Sequence, residues 1–126
     1  MISRTTIHAG PDGQPWFYDH RALHRWHVDR FVPVVPMADS DGGAILAVAF
    51  VAPDTWWIAR YGTLERHVWR DGRLLRQAVF DQDDGLPDID VSSLLVAGEQ
   101  VWMATTRGLL QYDTRQRRAR LHAMRD

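Results

Sequence analysis

The sequence predicts an all-β chain built from three four-stranded antiparallel units, and three observations carry that reading. A tryptophan recurs at positions 16, 57 and 102, so the same context returns after 41 and then 45 residues. That interval is the size of one propeller blade, about 40 to 50 residues. Short apolar runs alternate with Gly- and Asp-rich breaks, the pattern of antiparallel strands joined by tight turns. No window carries the apolar spacing of a long helix. The three blades are expected at about 2–40, 41–83 and 84–126, forming one propeller-like domain.

In the first unit, strands are expected at 4–8, 14–18, 22–28 and 30–34, with Asp12-Gly13 turning between the first two. Pro33 and Pro36 have no backbone N–H to give to a ladder, which places the fourth strand at a sheet edge. The second unit reads as strands 44–51, 55–60, 64–69 and 73–79. Its first run, Ala44-Ile45-Leu46-Ala47-Val48-Ala49-Phe50-Val51, is apolar on both faces and rich in small residues. Those properties suit the innermost strand of a blade, which is crowded from both sides. Later strands, such as Leu64-Glu65-Arg66-His67, are expected to alternate toward water. The third unit reads as 91–96, 100–105, 108–112 and 118–123. Asp41-Gly42, Asp71-Gly72 and Asp84-Gly85 supply further tight turns.

The recurring tryptophans fall on the second strand of each unit. There a flat side chain burying roughly 150–250 Å² would wedge between neighbouring blades. Trp56 precedes Trp57 on the same strand, so their side chains point to opposite faces. Either both pack in the core, or one is left to meet a ligand.

Composition narrows the function classes. At 126 residues, 45% hydrophobic and 25% charged, the chain is long enough for one modest core. A formal net charge of −1 gives no electrostatic reason to expect nucleic acid or an anionic membrane. The absence of cysteine excludes disulfides, thiol catalysis and thiolate metal sites. The first residues carry no apolar core of signal-peptide length, and no run approaches the roughly 18 apolar residues of a membrane span, so a soluble chain is expected.

The phrases Asp84-Gly85-Leu86-Pro87, Val91-Ser92-Ser93-Leu94-Leu95, Val101-Trp102-Met103-Ala104-Thr105 and Gly108-Leu109-Leu110-Gln111-Tyr112-Asp113 together resemble the two-component-regulator propeller repeat. That repeat runs Gly-Leu-Pro, an Ile/Val strand, Leu-Trp-Ile-Gly-Thr, then Gly-Leu-x-x-Tyr-Asp. The resemblance is good over 84–114, partial over 44–72 and faint over 2–35. Ala59 and Ala104 stand where the repeat usually has glycine. What the resemblance implies is a non-enzymatic sensing or protein-interaction module of a signalling receptor, in the periplasm or outside the cell. The repeat specifies the scaffold and leaves the ligand open.

Three blades do not close a ring, since propellers typically need about four to eight. Two arrangements resolve this: a homodimer that closes six blades, which is the preferred expectation, or further blades in a longer chain. A small-molecule or glycan ligand is expected at the channel mouth, where loops enter the innermost strands. By position the candidates are Asp88, Asp90 and Ser92, with Arg60 and Arg107 after the tryptophan strands as anion contacts. No cofactor and no metal is expected. His20, His24 and His27 would share a face only in a helix, and the segment reads as turn plus strand. The acidic run Asp81, Asp83, Asp84, Asp88, Asp90 lacks the spacing of a calcium loop and reads as a solvated interblade loop. Arg115, Arg117, Arg118 and Arg120 read as a charged outer strand that discourages edge pairing. The alternative to a sensor is a propeller-type lyase or hydrolase with a central-channel active site. No nucleophile motif, phosphate loop or dinucleotide fingerprint accompanies it.

Overall fold

The computed structural model describes residues 6–36 and 43–123. Twelve strands among the described residues form three four-stranded antiparallel sheets, each hydrogen-bonded in chain order. Blade 1 contains β1 (Thr6–Ala9), β2 (Pro15–Tyr18), β3 (Ala22–His27) and β4 (Arg30–Pro36). Blade 2 contains β5 (Ile45–Val51), β6 (Thr55–Arg60), β7 (Thr63–Arg70) and β8 (Arg73–Phe80). Blade 3 contains β9 (Val91–Ala97), β10 (Gln100–Thr105), β11 (Gly108–Asp113) and β12 (Arg118–His122). The fold is therefore all-β, with three propeller-like blades. A 3-10 turn, Gln82–Asp84, links the second sheet to the third. The expected strand start at 4–5, the blade boundary at 40/41 and the Asp41-Gly42 turn lie outside the described residues.

Local chemistry explains the connections. Asp71 (φ 54°) and Gly72 (φ 75°) occupy successive left-handed positions between β7 and β8, the conformation a two-residue hairpin turn requires. At the matching hairpin of blade 1, Val28 takes φ 61°. This ends β3 at His27, one residue before the expected boundary. β4 is the edge strand of its sheet, as its prolines require, and it runs on to Pro36 past a bulge opposite Leu23 and His24.

The register fixes which way each blade faces. Trp16 pairs with Arg25, Trp57 with Arg66, and Trp102 with Gln111, so each tryptophan's partner lies nine positions downstream. The three tryptophans are thus structurally equivalent. Trp16, Tyr18 and Leu23 pack on Ile45, Val48, Trp56 and Ile58 of blade 2. Trp57, Ala59 and Leu64 pack on Val91, Val101, Met103 and Tyr112 of blade 3. Each seam therefore joins the tryptophan-bearing, or leading, face of one blade to the opposite, trailing face of the next. Near the axis, β5 of blade 2 lies beside β9 of blade 3, and Ala47 and Val48 are buried on opposite faces. These are the features expected of an innermost strand.

The first seam is aromatic. Trp16 stacks on Trp56 with ring centroids 5.2 Å apart and meets the edge of Trp69 at 5.1 Å. Asp12 accepts from Trp16 Nε1 at 2.7 Å and from Arg25 Nε at 3.2 Å, and the Arg25 guanidinium lies 5.0 Å over the Trp69 ring. In the second seam Trp57 stacks with Phe80, whose ring meets that of Tyr112. Trp56 and Trp57 are both buried, each in its own seam. Core packing on both sides is what the pair does, and neither ring is left for a ligand.

Tyr112 ties the interblade loop to this core, its hydroxyl donating to the Asp84 carbonyl at 2.6 Å. Burial, followed by the Asp84 charge, pushes its phenol up to about 12, with Arg117 opposing. A folded-state value above the unfolded one of 10.0 means this stability is complete below pH 10 and is lost as pH rises through about 12. Tyr112→Phe is expected to lower stability at neutral pH by about 1 kcal/mol. Urea unfolding at a series of alkaline pH values should show a shallower loss between pH 10 and 12 in the variant.

Candidate functional site

The innermost strands and the loops entering them converge on a hollow of about 440 Å³. Blade 1 supplies Tyr18 and His20, blade 2 supplies Ile45 and Leu46, and blade 3 supplies Asp90, Val91, Ser92, Thr105 and Thr106. Ile45 N–H donates to the His20 carbonyl at 3.0 Å, fixing blade 1 to blade 2 at the rim. On blade 3, Ser92 Oγ donates to the Ala104 carbonyl at 3.3 Å. Thr105 Oγ1 donates to the Gly108 carbonyl at 2.6 Å and accepts from Arg107 N–H at 3.1 Å. The hollow thus combines apolar side chains with hydroxyls held by backbone groups and the carboxylate of Asp90. That mixture suits a small ligand carrying hydroxyl or amine groups.

Of the sequence-predicted residues, Asp90 and Ser92 come together at this hollow. Asp88 lies in a separate polar hollow of about 360 Å³, with Tyr61, Asp81 and Asp83. There its carboxylate accepts from Gln82 Nε2 at 2.5 Å and lies against Gly62, where φ +80° and the absence of Cβ leave it room. Arg107 is exposed and lines a third hollow of about 260 Å³ with Pro87 and Leu121. Among the described residues no group of three or more side chains is placed to hold a metal ion. His24 lies in β3, its ring stacked on Phe17 at 4.6 Å.

Arg60 faces inward, with 1% of its surface exposed. Its Nε donates to Glu65 Oε2 at 3.1 Å, its Nη1 donates to the Gly43 carbonyl, and His67 Nε2 donates to Glu65 Oε1 at 2.8 Å. Ile58 pairs with Glu65 and Trp56 with His67, so this polar trio lies on the trailing face of blade 2, the side turned to blade 1. Burial alone would raise the Glu65 carboxyl. The His67 hydrogen bond and the Arg60 charge outweigh it and hold the group below the usual carboxylate range. The expectation that Leu64 to His67 alternates toward water is therefore corrected. Glu65 and His67 are buried and Arg66 is exposed, because both faces of a middle blade are covered. The repeat itself held the clue: by strand register Glu65 and His67 take the places of Leu110 and Tyr112 in blade 3.

No protein-family model matches the chain, and no curated protein matches it in sequence. Solved structures do. One is the extracellular domain of BT4673 from B. thetaiotaomicron, described as a candidate one component system. It superposes with a TM-score of 0.70 at 14% identity over 98% of this chain. A second structure, of the extracellular domain of the candidate hybrid two component system BT4673, gives 0.65 at 17% identity over 95%. In both cases the chain spans 16% of the other chain's length. At these identities the likeness establishes the fold, in agreement with the propeller repeat that the sequence resembles.

Proposed function

We propose that the chain is a non-enzymatic sensing module of a signalling receptor that takes a small polar or glycan ligand at the hollow where its three blades meet. The observation carrying this reading is the convergence of Asp90 and Ser92 with residues of two other blades on one solvent-open hollow. Pockets of a few hundred Å³ at the convergence of structural units are common ligand sites. The likeness to extracellular domains of one- or two-component systems supports a receptor setting outside the cytoplasm. Asp90 supplies a charged acceptor for hydroxyl or ammonium donors, and Ser92 and Thr106 supply further polar contacts. Arg60 acts through the fold, since its guanidinium is committed to Glu65.

The test is a thermal-shift screen of sugars, oligosaccharides and amines, with any hit followed by calorimetry. Asp90→Asn combined with Ser92→Ala is expected to weaken binding at least tenfold, about 1.4 kcal/mol, while Asp88→Asn and Arg107→Ala leave it near the parent value. A hit indifferent to the double variant and lost with Asp88→Asn would move the site to the neighbouring acidic hollow and overturn the assignment.

A further inference from the structure

The seam between blades 1 and 2 sets two imidazoles against one indole and gives only one of them a hydrogen-bond acceptor. His8 pairs with Trp16, so it lies on the leading face of blade 1, and its ring meets the edge of Trp56 at 5.5 Å. His8 Nε2 is shielded from water and has no hydrogen-bond partner, and the same holds for Trp56 Nε1. His67 pairs with Trp56 across β6 and β7, and its Nε2 donates to Glu65. The charged groups that the surrounding strands bring to this seam offer His8 nothing. From blade 1, Asp12 is committed to Trp16 Nε1 and to Arg25. From β6 and β7, both oxygens of Glu65 are taken, by Arg60 and His67. β5 brings the apolar Val48 and Phe50, and β8 adds only a further cation, the exposed Arg76 paired with His67. A proton on His67 is therefore met by a carboxylate, whereas a proton on His8 is met by none.

We infer that this seam is an acid-release joint, in which protonation of His8 favours the state where blade 1 has parted from blade 2 and the imidazolium meets water. The closed seam holds the neutral ring edge-on to Trp56, and the open one solvates the cation, so the proton binds the open state more tightly and acid draws the joint toward it. Burial holds the His8 imidazole below its ordinary value of 6.5 in the closed chain. A base depressed in this way contributes stability that is present above 6.5 and is lost as pH falls below it toward the closed-state value. The seam between blades 2 and 3 has no such group: Trp57, Phe80, Val91, Met103 and Tyr112 meet there without a histidine among the described residues. One consequence reaches the central hollow. Blade 1 supplies Tyr18 and His20 to it, and the bond from Ile45 N–H to the His20 carbonyl crosses the same seam, so opening removes one wall. Release of a ligand in acid rests on the reading of that hollow as a binding site, whereas the joint itself stands without it.

Hydrogen exchange read by mass spectrometry on the chain without added ligand tests the joint directly, with exchange times corrected for the chemical rate at each pH. Between pH 7.5 and 5.5, one unit either side of the ordinary imidazole value, protection within 6–18 should fall by about threefold or more relative to protection within 91–113. His8→Phe keeps a ring edge against Trp56 and cannot take a proton, so it should hold its protection across that range. His67→Gln should keep the parent's fall, because the response belongs to the unpartnered ring. A parent chain whose two segments keep a constant ratio over the range would overturn the inference. So would a fall that survives in His8→Phe, and one lost in His67→Gln would pass the role to His67. Should His8→Phe fail to fold, the His8 ring protons titrated by nuclear magnetic resonance in the parent decide the matter, and a midpoint at or above 6.5 overturns the joint.

Discussion

Glu65→Ala is expected to cost about 3–5 kcal/mol of unfolding free energy, because it strands Arg60 as a buried, uncompensated charge. The Arg60 side chain is 0% exposed and that of Glu65 4%, so solvent does little to relieve the loss. Against the roughly 5–15 kcal/mol that holds a domain of this size together, the change removes about a fifth or more. The sign with pH is also set. The Glu65 carboxyl is held below its ordinary value of 4.5 in the folded chain, so its contribution is present above that value and disappears as pH falls through the folded one. The variant should therefore have a flatter acid limb. Blade 3 shows how the same position is filled without charge, with Thr105, Leu110 and Tyr112 at the places of Arg60, Glu65 and His67. Arg60→Thr/Glu65→Leu/His67→Tyr together should recover much of what Glu65→Ala loses, since replacing a whole buried ionic group by packed apolar side chains is often neutral. Urea unfolding at fixed protein concentration, followed by tryptophan fluorescence, measures all three proteins. A loss below about 1 kcal/mol for Glu65→Ala would mean that water reaches the trio and that seam 1 is looser than its packing implies.

The legibility of the fold followed the range of its causes. Turns such as Asp71-Gly72 and the tryptophan recurrence are local or periodic, and strand order followed from them. Glu65 and His67 were misread because alternation along a strand says that its two faces differ and is silent on which of them a neighbour covers. In a middle blade both are covered, and only the alignment of Glu65 with Leu110 reveals it. Placement about the hollows shows the same division. Asp90 and Ser92 were legible as neighbours of the central hollow, because they flank the start of an innermost strand. Asp88 was not, because the path of the loop before it is set by a capped 3-10 turn: Asp81 accepts from Asp83 N–H while the Asp84 carboxylate accepts from Asp81 N–H. That turn delivers Asp88 to Gly62, a contact invisible in the linear order. Arg107 likewise went to a third hollow across the blade.

Trp16→Ala is the other substitution with a large expected effect, about 3–5 kcal/mol, the range for deleting a fully buried aromatic side chain. Its reach exceeds the cavity it leaves. Trp16 contacts Trp56 and Trp69 across the seam and donates to Asp12, which in turn holds Arg25 over Trp69. Removing the indole leaves Asp12 with one side-chain partner fewer and the two blade-2 rings facing a void. Stacked repeats draw much of their stability from nearest-neighbour interfaces, so the loss should fall on blade 1 and spare seam 2. Blade 1 should then melt first: protease cuts within 6–36 are expected at urea concentrations where 45–122 still resists, giving two transitions where the parent gives one. Trp57→Ala should do the reverse, loosening blade 3 from blade 2. Trp102→Ala should cost the chain less than either, because no described blade packs on that face and the ring stacks only on His122 of its own sheet. If Trp16→Ala unfolds in a single transition with a loss under about 1 kcal/mol, the first seam is not held by its aromatic stack, and the register-based equivalence of the three tryptophans does not extend to their energetics.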